Sequence, residues 1–320
     1  MSNSAKWSLP DGAIPLVVFI ALCMCTLSKA QEISRDSLAN NPQLFLQAAA
    51  NMLYWNEPEE PVKIAGPIYF VGTKGLSSFL ITTTEGLILV YTGMPGSGKM
   101  IEANIKKLGF NPADIKFILG GHAHIDHAGG HAYIKKISGA KVAMMAEEKE
   151  LIESGGKTDF HYGKVPDFVF DPVKVDVVLR NGDVIKLGEV SLTGYHTPGH
   201  TKGDMTWVTN IVDNGKIYNV VFPDGTSINP GYRIVKNPSY PGIEKDYRNT
   251  FHTLEMLKPD IWLSCHTDFF DFENKKKRAA TEGINAWIDP EGYRLRIAGE
   301  RAKLEAEINT ELGIKPNAKQ

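Results

Sequence analysis

The 320-residue chain sets 35 Lys and Arg against 37 Asp and Glu, a formal charge of −2, with 42% hydrophobic and 22% charged residues. That composition excludes a disordered or collagen-like chain. The near-neutral charge leaves no electrostatic footprint for nucleic acid.

The first thirty residues read as a cleavable signal. Lys6 precedes an apolar run from Ala13 to Cys25, too short for a bilayer span of roughly 20 residues. Ser28-Lys29-Ala30 offers small residues for a peptidase, so cleavage is expected after Ala30, giving a periplasmic or secreted domain over 31–320 with no lasting membrane insertion. Cys23 and Cys25 leave with the signal, and Cys265 alone cannot form an intramolecular disulfide.

Residues 36–55 read as a helix or loose arm, stopped by Pro58 and Pro61. Strands are expected at 68–71, 78–83 and 87–91, then a helix over 97–108 stopped by Gly109. Ile115–Leu119 is a strand, followed by a helix from about Asp126 to Ile137 and a strand at 141–145, which suggests parallel pairing with crossover helices. Residues 173–196 read as hairpins with a turn at Asn181-Gly182. Further strands fall at 205–209, 220–222 and 261–265, with helices at 244–257 and roughly 281–312. The pattern implies one α/β domain, a sandwich of two sheets flanked by helices.

The densest chemistry lies in Gly120-Gly121-His122-Ala123-His124-Ile125-Asp126-His127-Ala128-Gly129-Gly130, after a strand and opening a helix. Three imidazoles and a carboxylate within six residues are nitrogen and oxygen donors that suit zinc. The flanking glycines let the backbone bend tightly. His200, in His196-Thr197-Pro198-Gly199-His200, and His266, after Ile261–Cys265, also stand at strand ends. Together these six residues make two sets of three, leaving each ion open positions for water, as catalytic zinc requires. Cys265, next to His266 on the expected strand, is assigned to the opposite face and to packing.

The His-x-His-x-Asp-His run resembles the signature of the metallo-β-lactamase-fold hydrolases, and the likeness covers about residues 55–275. Trp55-Asn56-Glu57-Pro58, Ile68–Thr73, Ser77–Thr83, His196–Gly203 and Pro230-Gly231-Tyr232 make the chain most similar to subclass B3 β-lactamases. The resemblance implies an αβ/βα four-layer sandwich and two zinc ions, one held by His122, His124 and His200, the other by Asp126, His127 and His266. It implies hydrolysis of a small-molecule β-lactam, hence antibiotic resistance. Asp126 would orient the attacking water, Tyr232 would help stabilise the oxyanion, and Ser227 would contact the substrate carboxylate. A rival within the fold is a lactonase or thioesterase in which Asp224 bridges the metals; a turn or supporting acid is the preferred reading of Asp224. A zinc protein without activity is a further rival.

Two positions depart from the resemblance. Tyr91 stands where many relatives carry Asp, and Gly225 where many B3 enzymes carry Ser. His161 is a candidate for the pocket rim. His131 is expected on the helix after the motif, His252 on a surface helix, and His196 behind a ligand or in packing. Lys275-Lys276-Lys277-Arg278 reads as a solvated helix start.

Overall fold

The computed structural model describes residues 34–314; the expected signal and its cleavage site lie outside them. Among the described residues no helix is long and apolar enough to cross a membrane.

Helices α1 (Arg35–Asn40) and α2 (Pro42–Met52) lead in. The single helix or arm expected here is broken because Asn41 caps α2, accepting from the Leu44 N–H at 3.0 Å, with Pro42 in the first turn. A first sheet then orders β1 (Val62–Ala65), β2 (Ile68–Phe70), β3 (Phe79–Thr83), β4 (Gly86–Val90), β5 (Ile115–Leu119), β6 (Lys141–Met145) and β7 (Val177–Leu179) as successive neighbours. Pairing is antiparallel as far as β4 and parallel from β4 through β7. Crossovers pass through α3 (Ser97–Lys107), α4 (Ile125–Ala128), α5 (His131–Ser138) and α6 (Lys149–Glu153), as the alternation of strand and helix predicts.

The second sheet runs β12 (Ile261–Trp262), β11 (Lys216–Phe222), β10 (Met205–Asp213), β9 (Val190–His196), β8 (Val184–Leu187). Only β12 is parallel to its neighbour. The expected hairpin at Asn181-Gly182 is a crossing instead: β7 belongs to the first sheet and β8 to the second. The true hairpin is β8–β9, turning at Gly188 with φ +54°.

The inner faces meet through aromatic side chains. Phe79 of β3 and Phe222 of β11 stand 5.4 Å apart between ring centres, edge to face. The Trp207 indole of β10 donates 2.9 Å to the Gly120 carbonyl at the end of β5. Outside, α5 lies on β5 and β6, while α9 (Pro290–Leu312) packs on α7 (Ile243–Met256) and β12. The helix expected near 281 begins earlier, as α8 (Phe272–Glu282), and a short tighter turn separates it from α9. Lys275 is therefore not a solvated helix start. It is buried, 2.8 Å from Asp289, with its ammonium 5.0 Å from the Trp262 ring centre.

Candidate metal centre

Strand β5 ends at Leu119, and Gly120-Gly121 turns the chain sharply toward the sheet ends. A Cβ on Gly121 would come within 1.6 Å of Asp224 Oδ2, so only glycine lets this loop pass the Asp224 carboxylate. Beyond it, the helix expected from Asp126 to Ile137 is two helices. Gly129-Gly130 interrupts it, and the Gly130 N–H donates 3.3 Å to the Gly93 carbonyl. The short α4 carries Asp126 and His127 toward His122 and His124.

His122, His124 and His200 present donor atoms within 4.8 Å of one another. Each is buried and tied from behind. His122 Nδ1 stands 2.8 Å from Asp224 Oδ2. His124 Nε2 stands 3.3 Å from Asp159 Oδ2. His200 Nδ1 donates 2.8 Å to the Ser227 carbonyl. These bonds leave the lone pairs of His122 Nε2, His124 Nδ1 and His200 Nε2 facing inward. The first of these atoms is buried with no hydrogen-bond partner, and the other two lie 3.1 Å apart. Two nitrogens at 2.0–2.1 Å from one tetrahedral zinc stand about 3.3 Å apart, so the set fits the ion. Burial holds His122 well below the ordinary imidazole pKa and brings His200 to about 4. Burial would also lower His124, but its hydrogen bond to Asp159 raises it.

The second expected set is also together. Asp126 Oδ2 lies 3.1 Å from His127 Nε2 and 3.6 Å from His266 Nε2, and the two imidazole rings are 4.8 Å apart, edge to face. Burial opposes the charge on Asp126, yet His127 and His266 hold its carboxyl well below the usual range. Burial brings His266 down to about 3. The Nδ1 atoms of His127 and His266 are buried without hydrogen-bond partners. Close by, Tyr91 occupies the place of the expected Asp, with φ +60° and a buried hydroxyl that also lacks a partner.

Both sets floor one cavity. Its apolar wall is built largely by Phe45, Leu46 and Leu53 around α2, with Trp55, Tyr162 and Phe269, and Ser227 and Asn229 supply neutral polar groups. Among its lining residues there is no Lys or Arg. His161 is not in the wall. Its ring packs on Tyr162 and Tyr232 one layer behind, and Tyr162 faces the cavity instead. Tyr232 is likewise not positioned as an oxyanion donor: it is buried, and its hydroxyl donates 3.0 Å to the His200 carbonyl. Cys265 departs most. Alternation along a strand placed it opposite His266, but β12 ends at Trp262, and Cys265 lines the cavity beside His127 and His266.

Three acids that the motif did not single out support the centre. Asp159 holds His124 and also accepts the His161 and Tyr162 backbone N–H groups at 2.7 and 2.5 Å. Glu148 is fully buried and accepts from the Ala123 N–H at 2.7 Å, the Thr201 hydroxyl at 2.9 Å and the Gly203 N–H at 2.9 Å. It thus ties the two histidine-bearing loops together. Burial, only partly offset by those bonds, lifts its pKa to about 7. Asp204 lies 3.6 Å from His122 Nδ1, and burial holds its carboxyl well above the usual range. A Cβ on Gly225 would come within 2.1 Å of Asp204 Oδ2 and 2.6 Å of His200 Cδ2, so the Ser of many relatives has no room here. The other histidines serve the fold. His131, on α5, is buried, its Nδ1 2.7 Å from the Thr92 hydroxyl; His196 Nε2 donates 2.8 Å to the Lys202 carbonyl; His252 is exposed on α7.

The Metallo-beta-lactamase superfamily sequence model matches residues 72–211. The native FEZ-1 metallo-beta-lactamase of Legionella gormanii is similar over 79% of this chain and 97% of its own, with 40% identity and a TM-score of 0.78. BJP-1, a subclass B3 metallo-beta-lactamase of Bradyrhizobium japonicum, is 35% identical over 82% of this chain and 98% of its own, with a TM-score of 0.77. Curated relatives are matched over part of their length, from 36% to 64%. Among them is an N-acyl homoserine lactonase from a Bacillus species, 26% identical over 163 residues, which are 43% of this chain and 60% of that protein. Imidazoles gathered at the ends of two facing sheets, and a likeness spanning nearly the whole of those solved chains, lead to one conclusion: the chain belongs to the metallo-β-lactamase superfamily of hydrolases, alongside its subclass B3 members.

Proposed function

We propose that the protein hydrolyses the amide bond of β-lactams with two zinc ions, and that export of this activity gives its cell resistance. The observation that carries the reading is the set of three imidazoles with inward lone pairs, on the floor of an apolar cavity. Likeness to FEZ-1 and BJP-1 supplies the substrate class. His122, His124 and His200 would hold one ion, and Asp126, His127 and His266 the other. Bound zinc supplies a Lewis acid and a coordinated water whose pKa falls from 15.7 to about 7.

The remaining tasks fall to the chain. Asp126, ionised at neutral pH, accepts a hydrogen bond from the attacking water and orients it toward the ring carbonyl. Ser227 and Asn229 donate to the substrate carboxylate, since no cationic side chain lines the cavity. Phe45, Leu46, Trp55 and Phe269 exclude bulk water around the ring. Tyr232 and Ser227 act on His200, one through its carbonyl and the other through Nδ1.

The lactonase or thioesterase reading has the Bacillus relative in its favour, but it asks Asp224 to bridge the ions. Asp224 Oδ2 instead faces His122 Nδ1, and Asp224 does not line the cavity. The test is a zinc-loaded panel of penicillins, cephalosporins, carbapenems, acyl lactones and thioesters. β-Lactam turnover abolished by EDTA and restored by zinc supports the proposal. Lactone or thioester turnover without β-lactam turnover overturns it.

A further inference from the structure

Between the end of β11 at Phe222 and the start of α7 at Ile243 the chain forms no helix or strand. So long an irregular stretch is uncommon inside a compact domain and is usually tied to function. This one backs His200 twice. The Ser227 carbonyl accepts from His200 Nδ1 at 2.8 Å, and the buried Tyr232 hydroxyl donates 3.0 Å to the His200 carbonyl. Without a strand ladder of its own, the loop needs outside partners for its backbone.

Those partners come from the far end of the chain. Glu311, in the last turn of α9, accepts from three successive N–H groups: Ile234 at 2.5 Å to Oε1, and Val235 and Lys236 each at 2.8 Å to Oε2. The turn so held is closed on itself, since Arg233 Nε donates 2.7 Å to the Lys236 carbonyl and the Arg233 N–H donates 2.9 Å to Ser239 Oγ. Only Arg233 separates it from Tyr232. One turn earlier on α9, Glu307 lies 3.2 Å from Arg35, whose guanidinium also donates 3.4 Å to the Ile228 carbonyl. The last two turns of α9 therefore hold both flanks of the segment between Ser227 and Lys236.

A carboxylate in the last turn of a helix faces the negative end of the helix dipole, so α9 itself gains nothing from Glu311. Burial also works against its charge, yet the three N–H bonds keep its carboxyl below the usual range. We infer that Glu311 is a positioning residue for the metal centre, setting the loop that orients His200 through Ser227 and Tyr232. The inference rests on the reading of His200 as a zinc ligand.

The test is Glu311→Ala in the full chain, stripped of metal and titrated with zinc against a chromophoric chelator, then with cobalt(II) followed by its visible bands. The expected result is a tighter zinc step weakened about tenfold, the low end for loss of a group behind a ligand histidine, with altered cobalt bands at saturation. Glu311→Gln, which keeps the volume and one acceptor oxygen, should recover part of the affinity, and it stands in if the alanine variant does not fold. Zinc affinity and cobalt bands unchanged in the variant, whatever its thermal midpoint, make Glu311 a clasp of the fold alone and overturn the inference, leaving the zinc reading intact. Failure of the unsubstituted protein to bind zinc overturns the zinc reading, and this inference with it.

Discussion

His122, His124 and His200 each have the outer nitrogen tied to an oxygen of Asp224, Asp159 or Ser227, whereas His127 and His266 each keep a buried nitrogen with no partner. Both sets draw on the same eleven-residue loop, so the difference lies in what stands behind them. An outer hydrogen bond fixes the tautomer and ring orientation before an ion arrives. The first set is therefore organised by the protein, and on the two-zinc reading proposed above the second would be organised largely by its ion. Zinc should fill the first set more tightly. Preorganisation of this set is thus a property of groups far along the chain, two buried acids and a backbone carbonyl, rather than of the histidines themselves.

Glu148 is the largest lever on this contrast, because it joins the two loops of the first set. Its folded pKa of about 7 lies above the carboxyl's ordinary 4.5, so the folded state holds the proton more firmly. Its contribution to stability is complete below pH 4.5 and is lost as pH rises through 7, on the order of 3 kcal/mol. Denaturant unfolding of the metal-stripped protein across that range should show this slope, and Glu148→Gln should flatten it. An unchanged slope would remove Glu148 from the account.

Asp159→Ala cuts one anchor of the first set. Loss of such a partner costs about 10–100-fold in metal affinity. Calorimetric zinc titration should show the tighter step weakened by that factor and the weaker step unmoved. Equal weakening of both steps would erase the distinction between the sets.

Tyr91→Phe probes the unsupported side most gently. The hydroxyl is buried without a partner, so removing it should leave stability equal or raise it by about 1 kcal/mol, read as the thermal midpoint. A loss of stability would mean that the hydroxyl is paired after all.

What the chain disclosed in advance follows from how locally each feature is encoded. The strands around β4–β6 and the donor-rich loop are contiguous in sequence, with period, spacing and glycines all present within a few residues. His200 and His266 could be placed because each follows a strand, where sheet proteins assemble sites. Glu148, Asp159 and Asp204 look like any surface acid, and only tertiary burial marks them out. Lys275 misled for the same reason in reverse: a charged run reads as solvated until Asp289, 14 residues on, closes over it. Cys265 misled because face alternation holds only inside a strand, and β12 is two residues long. Tyr232 turns its hydroxyl to the His200 backbone carbonyl, an orientation no sequence pattern encodes.

Gly225 also bears on how this chain could change by inheritance. The serine that many B3 enzymes carry at this position is a small step in sequence, but the Asp204 carboxylate and the His200 ring already occupy its space. A lineage starting here would have to alter Asp204 first, and Asp204 lies against His122. The route to that serine therefore passes through an intermediate in which the contact behind His122 is disturbed. Descendants of this chain should keep glycine at 225 for as long as they keep aspartate at 204.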